Sequence, residues 1–314
     1  MTFKFTLLIF CLPLLLINET AFAQAKKSPY LFAYFKGNGE DGLHLAYSLD
    51  GYKWAALKKD QSFLKPTVSK DKLMRDPCII KGKDGLFHMV WTVSWNDKGI
   101  GYASSKDLIN WSEQKFIPVM QQEKDAKNCW APEVTYDDQS ETYMIYWATT
   151  IEGKFSETAS SLENKYNHRL YYVTTKDFKE FSDTKLLYDP GFNSIDATIV
   201  KNGRNFLMFL KDETREPVQK NLKISNSKSL TGPYAKASKP ITGNYWAEGP
   251  TTLKVKRHWV VYFDKYTEHK YGAIRSKDLN NWEDVSEQIS LPKGLRHGSV
   301  FSVEKSVLED LLKE

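Results

Sequence analysis

Short apolar runs that alternate with polar residues recur along most of the chain, and many of them end in a polar turn. The turn has a Ser/Thr-x-Asp-like sequence and, in most copies, a following aromatic residue. The five copies are YSLDGYKW (47–54), SSKDLINW (104–111), TTKDFKEF (174–181), NSKSLTGP (226–233) and RSKDLNNW (275–282). Alternation with a period of two is typical of strands, and Ser, Asp and Gly favour turns. Each copy therefore predicts two strands joined by a polar turn.

A second set of apolar runs stands ahead of these copies. The runs are PYLFAYF, LFHMVWT, TYMIYWAT, NFLMFL and HWVVYF. Four of them follow a short motif that ends in a predicted strand, namely RDPCII (75–80), WAPEVTY (130–136), IDATIV (195–200) and WAEGPTTL (246–253). The first run lacks such a motif, but RHGSVFSV (296–303) at the far end of the chain can return to pair with the N-terminal sheet.

This arrangement predicts an all-β fold. Five units of roughly 50 residues, each with about four short strands, are typical of a five-bladed β-propeller. The C-terminal strand is expected to close the ring by pairing with the N-terminal blade. A solenoid, by contrast, would need capping repeats at its ends and no closing strand.

The ends of the chain have other patterns. Lys4 precedes an apolar run, and Ala21-Phe22-Ala23 matches the small-x-small pattern of a signal-peptide cleavage site. We therefore predict a signal peptide over residues 1–23, with an uncleaved anchor as the alternative, and a periplasmic or secreted protein without membrane contact after cleavage. A leader (24–28), a single propeller domain (29–303) and a short C-terminal helix (304–314) are predicted to follow.

Composition adds few constraints. The chain has 314 residues and a net charge of +5, with Lys and Arg scattered rather than clustered, so it lacks the charge pattern of a nucleic-acid-binding protein. Its 9 Trp, 17 Tyr and 17 Phe agree with a β-rich fold. Cys78 and Cys129 leave one disulfide or two buried thiols open, and their spacing matches no metal site. We predict a monomer.

The starts of the inner strands predict a functional site. In a propeller the first strand of each blade lines the central axis, so its first residues face one mouth of the ring. The residues predicted to share this position are Asp76, Glu133, Asp196, Glu248 and His297. Carboxyl groups held close together have their pKa values pushed apart, which lets one act as an acid while another acts as a base. Glycoside hydrolysis needs such a pair.

The motifs RDP, SSKDLINW, WAPE, IDA, AEGP and RHGSV, in this order, resemble glycoside hydrolase family 43. The resemblance covers residues 29–303, and the unit 29–54 looks like exported bacterial members. It implies a five-bladed propeller enzyme that acts on arabinose- or xylose-containing glycans. It also implies that Asp76 is the general base, Glu248 the general acid, and Asp196 the carboxylate that holds the acid and raises its pKa. Members invert the anomeric centre, which requires carboxyl groups roughly 6.5 to 9.5 Å apart.

Other residues are predicted to surround the substrate. His297 and Arg296 are expected to contact the sugar, and Trp95, Trp130 and Trp246 to stack on its C–H faces. Glu133 stays open between a structural and a sugar-binding role. The resemblance allows a structural Ca²⁺ near His297, but we assign no metal ligands and expect no required cofactor.

The predicted partner is a plant cell-wall polysaccharide or oligosaccharide. We expect an exo-acting α-L-arabinofuranosidase or β-xylosidase. The alternatives are an endo-arabinanase, a galactosidase, a hydrolase of the same ring that retains configuration, or a non-catalytic carbohydrate-binding propeller. A binding propeller is expected to lose one acid of the trio, and all three are present.

Overall fold

Five antiparallel sheets surround a central axis in the computed structural model, which describes residues 1, 2, 28–163 and 165–314. This architecture confirms the predicted five-bladed propeller. Apart from its first two residues, the predicted signal peptide (1–23) lies outside the described residues, as does the leader up to residue 27. Among the described residues, no helix has the length and apolar character needed to cross a membrane.

The strands follow one another blade by blade. Blade one contains β1 (Tyr30–Tyr34), β2 (His44–Ser48) and β3 (Ala55–Ala56); blade two contains β4 (Arg75–Lys81), β5 (Phe87–Thr92), β6 (Ile100–Ser105) and β7 (Lys115–Ile117). Blade three contains β8 (Trp130–Asp137), β9 (Thr142–Thr150), β10 (His168–Thr175) and β11 (Lys185–Tyr188); blade four contains β12 (Ser194–Asn202), β13 (Asn205–Asp212) and β14 (Asn221–Ser227). Blade five contains β15 (Glu248–Val255), β16 (His258–Lys265), β17 (Lys270–Ser276) and β18 (Glu283–Asp284), and the chain ends with β19 (Gly298–Ser302) and the helix α1 (Lys305–Leu311).

The last strand closes the ring. β19 pairs antiparallel with β1, from Gly298 opposite Tyr34 to Ser302 opposite Tyr30, and so becomes the inner strand of blade one. The five inner strands β4, β8, β12, β15 and β19 each contact the next one around the axis. Closure by a C-terminal strand, expected from RHGSVFSV, is therefore present.

Blade four differs from the expected four strands, since three strands form its sheet. After the turn, the backbone of Ala235, Ser238 and Ile241 donates hydrogen bonds to β14. The three donors are three residues apart along their segment, whereas in a regular strand every second residue bonds to the same neighbour. The outer position of blade four is thus filled by an irregular segment rather than a strand.

Apolar residues are buried mainly between the blades. The described residues form five apolar clusters, each shared by two neighbouring blades. Leu31 of blade one and Trp91 of blade two, for example, are fully buried in one of them. Leu308 and Leu311 of α1 pack into the same cluster, so the helix covers the joint between these two blades. Cys78 and Cys129 are buried free thiols, which decides against the disulfide.

The inner strands are also linked around the ring by hydrogen bonds. Each inner strand donates one backbone N–H to a side-chain oxygen of the preceding blade, over 2.8 to 3.0 Å. The pairs are Ile79 to Ser299, Ala131 to Thr92, Ile199 to Tyr146, Gly249 to Asp196, and Val300 to Thr251. An inner strand has no neighbouring strand on the edge that faces the axis, so its backbone N–H groups there have no partner within the sheet. These side chains accept their hydrogen bonds instead.

Candidate active site

The inner strands of four blades carry the same irregularity where they begin. Pairing with the second strand shifts register after the first residue of β4, β8 and β15 and after the second residue of β12, and the bulged residue has a positive φ between 47° and 59°. The bulged residues are Asp76, Ala131, Asp196 and Gly249. A bulge of this kind bends the strand and redirects its side chains.

The bulge corrects the expectation that five polar residues share one position. Asp76 and Asp196 do occupy the same position, but Glu248 lies one residue before the bulge of its strand. Glu133 lies two residues after its bulge. The hydrogen-bond register sets where a side chain lies along these strands. The motifs WAPE and AEGP can be aligned by their acids in sequence, but the two acids do not occupy equivalent positions in the structure.

Glu133 is consequently held further along the axis. It is buried, and Tyr146 donates a hydrogen bond to its Oε2 over 3.0 Å. Burial raises the pKa of Glu133 to about 7, although the Thr198 and Tyr146 hydrogen bonds and the charge of His297 act against the rise. Glu133 can therefore carry a proton near neutral pH.

Asp76 is held as an anion. Thr92 donates a hydrogen bond to its Oδ2 over 2.7 Å, and His297 Nδ1 lies 3.2 Å from its Oδ1. Burial alone would raise the pKa of Asp76, but the His297 bond and charge, the charge of Arg75 and the Thr92 bond together lower it below its usual range. An ionised, oriented carboxylate of this kind is suited to accept a proton.

Asp196 has the opposite tendency. Burial raises its pKa to about 6, and the charges of Glu248 and Asp76 act in the same direction against those of His297 and Lys211. Its Oδ2 accepts the Gly249 N–H over 3.0 Å, which ties it to the strand that carries Glu248. The two aspartates at equivalent backbone positions therefore differ in proton affinity.

Glu248 lies between two cations. Lys211 Nζ is 3.0 Å from its Oε2, and Arg296 Nη2 is 3.5 Å from its Oε1. Arg296 also donates to Asp264 over 2.7 Å, and its contact with the sugar stays a prediction. The Glu248 side chain remains 21% exposed, which leaves it accessible from the mouth of the ring.

His297 completes the cluster and directly precedes β19, the strand that closes the ring. Its ring is buried beside Gly249, where a Cβ would lie 2.4 Å from the His297 Cγ. Glycine is therefore required at the bulge of β15, whereas the other three bulges carry side chains. The charge of the His297 ring interacts with those of Asp76, Asp196 and Glu133.

The predicted tryptophans lie on two sides of this cluster. Trp95 and Trp130, from blades two and three, meet edge to face with centroids 5.5 Å apart, and Trp95 is 41% exposed. Trp246 lies before β15, 5.8 Å from the ring of Tyr266. Arg75 covers the Trp95 ring at 4.3 Å.

Three further side chains of the site were not predicted from the sequence. Thr92, Lys211 and Asp264 lie near the ends of second strands, opposite Arg75, Ile195 and Glu248 of the inner strands. A second strand runs antiparallel to the first and returns to the same mouth. The sequence does carry a signal for them, because each is the polar residue at the end of an apolar run: LFHMVWT, NFLMFL-K and HWVVYF-D.

The resemblance allows a structural Ca²⁺ ion near His297, whose ring is buried and interacts with the charges of Asp76, Asp196 and Glu133. Within the described ranges, no group of three or more His, Cys, Asp or Glu side chains is placed to hold a metal ion. The Ca²⁺ ion stays an expectation from the resemblance.

A cavity of about 520 Å³ adjoins the acidic cluster. It lies between blade five and the segment before β19, and Asp264, Tyr266, Tyr271 and Arg296 belong to its lining. Arg296 connects this cavity to the acidic cluster, since it lines the cavity and its Nη2 lies 3.5 Å from Oε1 of Glu248.

Comparisons with known proteins agree with this architecture. A family model for a probable glycosyl hydrolase domain related to glycoside hydrolase family 43 matches residues 26–309. An α-L-arabinofuranosidase of Bifidobacterium longum is 26% identical over 268 residues, which cover 65% of this chain and 25% of the relative. The chain thus spans about a quarter of the length of this curated relative.

Solved structures share the fold at low identity. Bacteroides ovatus xyloglucan PUL GH43B has a TM-score of 0.52 and 20% identity, over 70% of this chain and 41% of that one. An α-L-arabinofuranosidase of Lactobacillus brevis has a TM-score of 0.50 and 19% identity, over 68% and 72%. An exo-β-1,3-galactanase of Phanerochaete chrysosporium with galactose has a TM-score of 0.54 and 14% identity, over 70% and 52%. Because the family model matches residues 26–309, well over half of the chain, the chain belongs to the glycoside hydrolase family 43-related family.

Proposed function

We propose that the chain is an inverting, exo-acting glycosidase that removes terminal α-L-arabinofuranosyl or β-xylosyl residues from plant cell-wall glycans. The observation that supports this proposal is the cluster of Asp76, Asp196 and Glu248 at one mouth of the ring, in three different electrostatic environments. The curated relative named an α-L-arabinofuranosidase supports the choice of sugar.

The proposed reaction uses two carboxyl groups on opposite sides of the sugar. Asp76 accepts a proton from water as the water oxygen attacks the anomeric carbon, and Glu248 donates a proton to the departing glycosidic oxygen. The low pKa of Asp76, caused by His297 and Thr92 against the effect of burial, suits the base. Asp196 supports the acid through its position, because its Oδ2 accepts the N–H of Gly249, the residue next to Glu248, over 3.0 Å.

The surroundings support assignments for the two ends of the substrate. The leaving group lies beside the acid in this mechanism, and the cavity next to Arg296 and Asp264 is on that side. Trp95 and Trp130 offer aromatic surfaces on the side of Asp76. We also propose that the protein is exported and monomeric, the former on the signal-peptide pattern of residues 1–23.

The test is a panel of nitrophenyl glycosides (α-L-arabinofuranoside, β-D-xyloside and β-D-galactoside) together with arabinan and xylan. Asp76→Ala and Glu248→Gln should each lower kcat by on the order of 10²- to 10⁴-fold while melting like the wild type. Asp183→Ala, at an exposed position of blade three, serves as the control and should keep full activity. Folded variants of Asp76 and Glu248 with wild-type turnover would refute the site.

The stereochemistry is tested separately. A proton NMR time course on the best aryl glycoside should show the inverted anomer first, before mutarotation. Retained product would contradict the inverting mechanism and favour direct attack by a carboxylate. Binding of an oligosaccharide by calorimetry, with no turnover of any substrate, would indicate a carbohydrate-binding propeller instead.

A further inference from the structure

Six side chains of alternating charge form a continuous row through the site, which we call the ion-pair row. In order they are Lys220, Glu213, Lys211, Glu248, Arg296 and Asp264, and the successive nitrogen to oxygen distances are 2.5, 2.5, 3.0, 3.5 and 2.7 Å. The row starts in blade four, crosses the axis-facing mouth at the proposed acid, and ends in blade five. Glu248 is its one member on an inner strand.

Lys211 is the buried centre of the row. Its side chain is 1% exposed, and its ammonium group contacts Glu213, Glu248 and the hydroxyl of Tyr266, the last over 3.4 Å. The same ammonium lies 4.5 Å from the centre of the Tyr266 ring. A buried charge costs several kcal/mol unless it is paired, so Lys211 is fixed between its two carboxylates.

The geometry gives each carboxyl oxygen of Glu248 its own cation, Lys211 at Oε2 and Arg296 at Oε1. The two cations differ in their other partner. Arg296 is shared with Asp264, whereas Lys211 is shared with Glu213, which Lys220 holds in turn. The electrostatic effect of Lys211 on Glu248 therefore depends on Glu213, a carboxylate outside the cluster of Asp76, Asp196 and Glu248.

We propose that Lys211 is a positioning residue that fixes the carboxyl group of Glu248, and that Glu213 sets how strongly Lys211 acts on it. The proposal rests on the proposed function, in which Glu248 is the general acid. Other titratable groups that interact with Glu248 are Arg296, Asp196, Asp264, Tyr266 and Tyr271. They stay in place in the variants below and are common to all of them.

Two substitutions should move the pH profile in opposite directions. A cation within about 4 to 6 Å favours the ionised form of a carboxyl and lowers its pKa by about 1 to 3 units. Lys211→Met removes that cation. The pH at which kcat/KM falls on the alkaline side of its profile (the alkaline limb) should therefore rise by about one unit. Glu213→Gln leaves the whole charge of Lys211 facing Glu248, so the same limb should move down by about half a unit.

The experiment measures kcat/KM against pH for wild type, Lys211→Met, Lys211→Arg and Glu213→Gln. Lys211→Arg keeps the charge and should keep the alkaline limb within a few tenths of a pH unit of wild type. The matched control is Lys223→Met, because Lys223 is a mostly buried lysine of blade four that pairs with Asp212 over 2.6 Å. The alkaline limb of the Lys223→Met profile should coincide with that of the wild type.

A second readout separates positioning from general loss of structure. The acid matters most for poor leaving groups, so the rate loss in Lys211→Met should be at least about tenfold larger for a nitrophenyl than for a dinitrophenyl glycoside. An equal loss for both leaving groups would contradict the proposal. If Lys211→Met does not fold, the direction of the shift in Glu213→Gln still decides, because an upward shift or no shift overturns the proposal.

Failure of this proposal is distinguishable from failure of the proposed function. If Glu248 is not the acid, Glu248→Gln keeps its activity whatever the Lys211 variants do. If Glu248 is the acid but Lys211 does not position it, Glu248→Gln is inactive while the limb of Lys211→Met stays with that of the wild type. Opposite shifts in Lys211→Met and Glu213→Gln, with an inactive Glu248→Gln, support both.

Discussion

At the scale of single residues, His297 balances the charge of the acidic cluster. Its Nδ1 lies 3.2 Å from Asp76, and its side chain is only 8% exposed. Burial favours the neutral ring, but the Asp76 hydrogen bond and the charges of Asp196, Asp76 and Glu133 dominate and raise the pKa of His297 to about 9. The residue that the sequence indicated as a sugar contact therefore pairs with Asp76, the proposed base.

This charge predicts a loss of stability at alkaline pH. An unfolded histidine has a pKa of about 6.5, so the folded chain holds this proton more tightly than the unfolded chain. The stabilisation is fully present below pH ~6.5 and is lost as the pH rises through the folded pKa of about 9. We predict that urea denaturation shows the free energy of unfolding falling by up to about 3 kcal/mol over this window.

His297→Gln provides the control for this effect. The variant cannot take up the proton, so its free energy of unfolding should change less over the same window, whatever its absolute stability. A fall as steep as that of the wild type would assign the effect to other groups.

The sequence marked some residues of the candidate site and not others for a physical reason. Asp76, Asp196 and Glu248 stand next to turn-forming residues at the start of inner strands, so their motifs mark them. Lys211 and Asp264 become part of the site only because their strands return antiparallel to the same mouth. Their contacts depend on pairing between strands, which a polar residue after an apolar run indicates only when the register is known.

At the scale of elements, the bulge determines how the inner strands present their side chains. Its positive φ is carried by Asp76, Ala131 and Asp196 as well as by Gly249, so the bend itself tolerates a side chain. The sequence alone could not give the offset of Glu133 and Glu248 from the bulge, because hydrogen-bond register fixes it. What distinguishes Gly249 is the ring of His297 against its Cα.

Gly249→Ala should therefore affect the site more than the fold. The new Cβ would lie 2.4 Å from the His297 Cγ, so the imidazole would have to shift, which changes its contact with Asp76. A misplacement of about 1 Å can cost roughly 10²-fold in rate, and we expect a loss in kcat/KM of this order on the best aryl glycoside.

Gly203→Ala is the matched control. Gly203 has a φ of +63° in the exposed turn between β12 and β13, with no atom near the position of a new Cβ. Both variants should lose about 1 to 2 kcal/mol of stability from the left-handed backbone, but only Gly249→Ala should lose activity. Equal activity losses would show that backbone strain, and not the contact with His297, is responsible.

At the scale of the whole molecule, the ring is closed both by a sheet and by side chains. The sequence predicted the sheet, because RHGSVFSV supplies the inner strand that blade one lacks. It did not predict that Thr251 accepts the Val300 N–H or that Ser299 accepts the Ile79 N–H. These acceptors lie on other blades, so no local pattern relates them to their donors.

These bonds give the closure a testable weak point. Thr251→Val keeps the shape of a buried side chain but leaves the Val300 N–H without its acceptor, which typically costs about 1 to 3 kcal/mol. Thr252→Val, the next residue, removes a hydroxyl that only donates to the Val260 carbonyl within blade five. Hydrogen exchange measured by mass spectrometry should accelerate in the segment 298–303 for Thr251→Val and stay at the wild-type rate there for Thr252→Val. Equal protection of this segment in both variants would mean that pairing of β19 with β1 alone closes the ring.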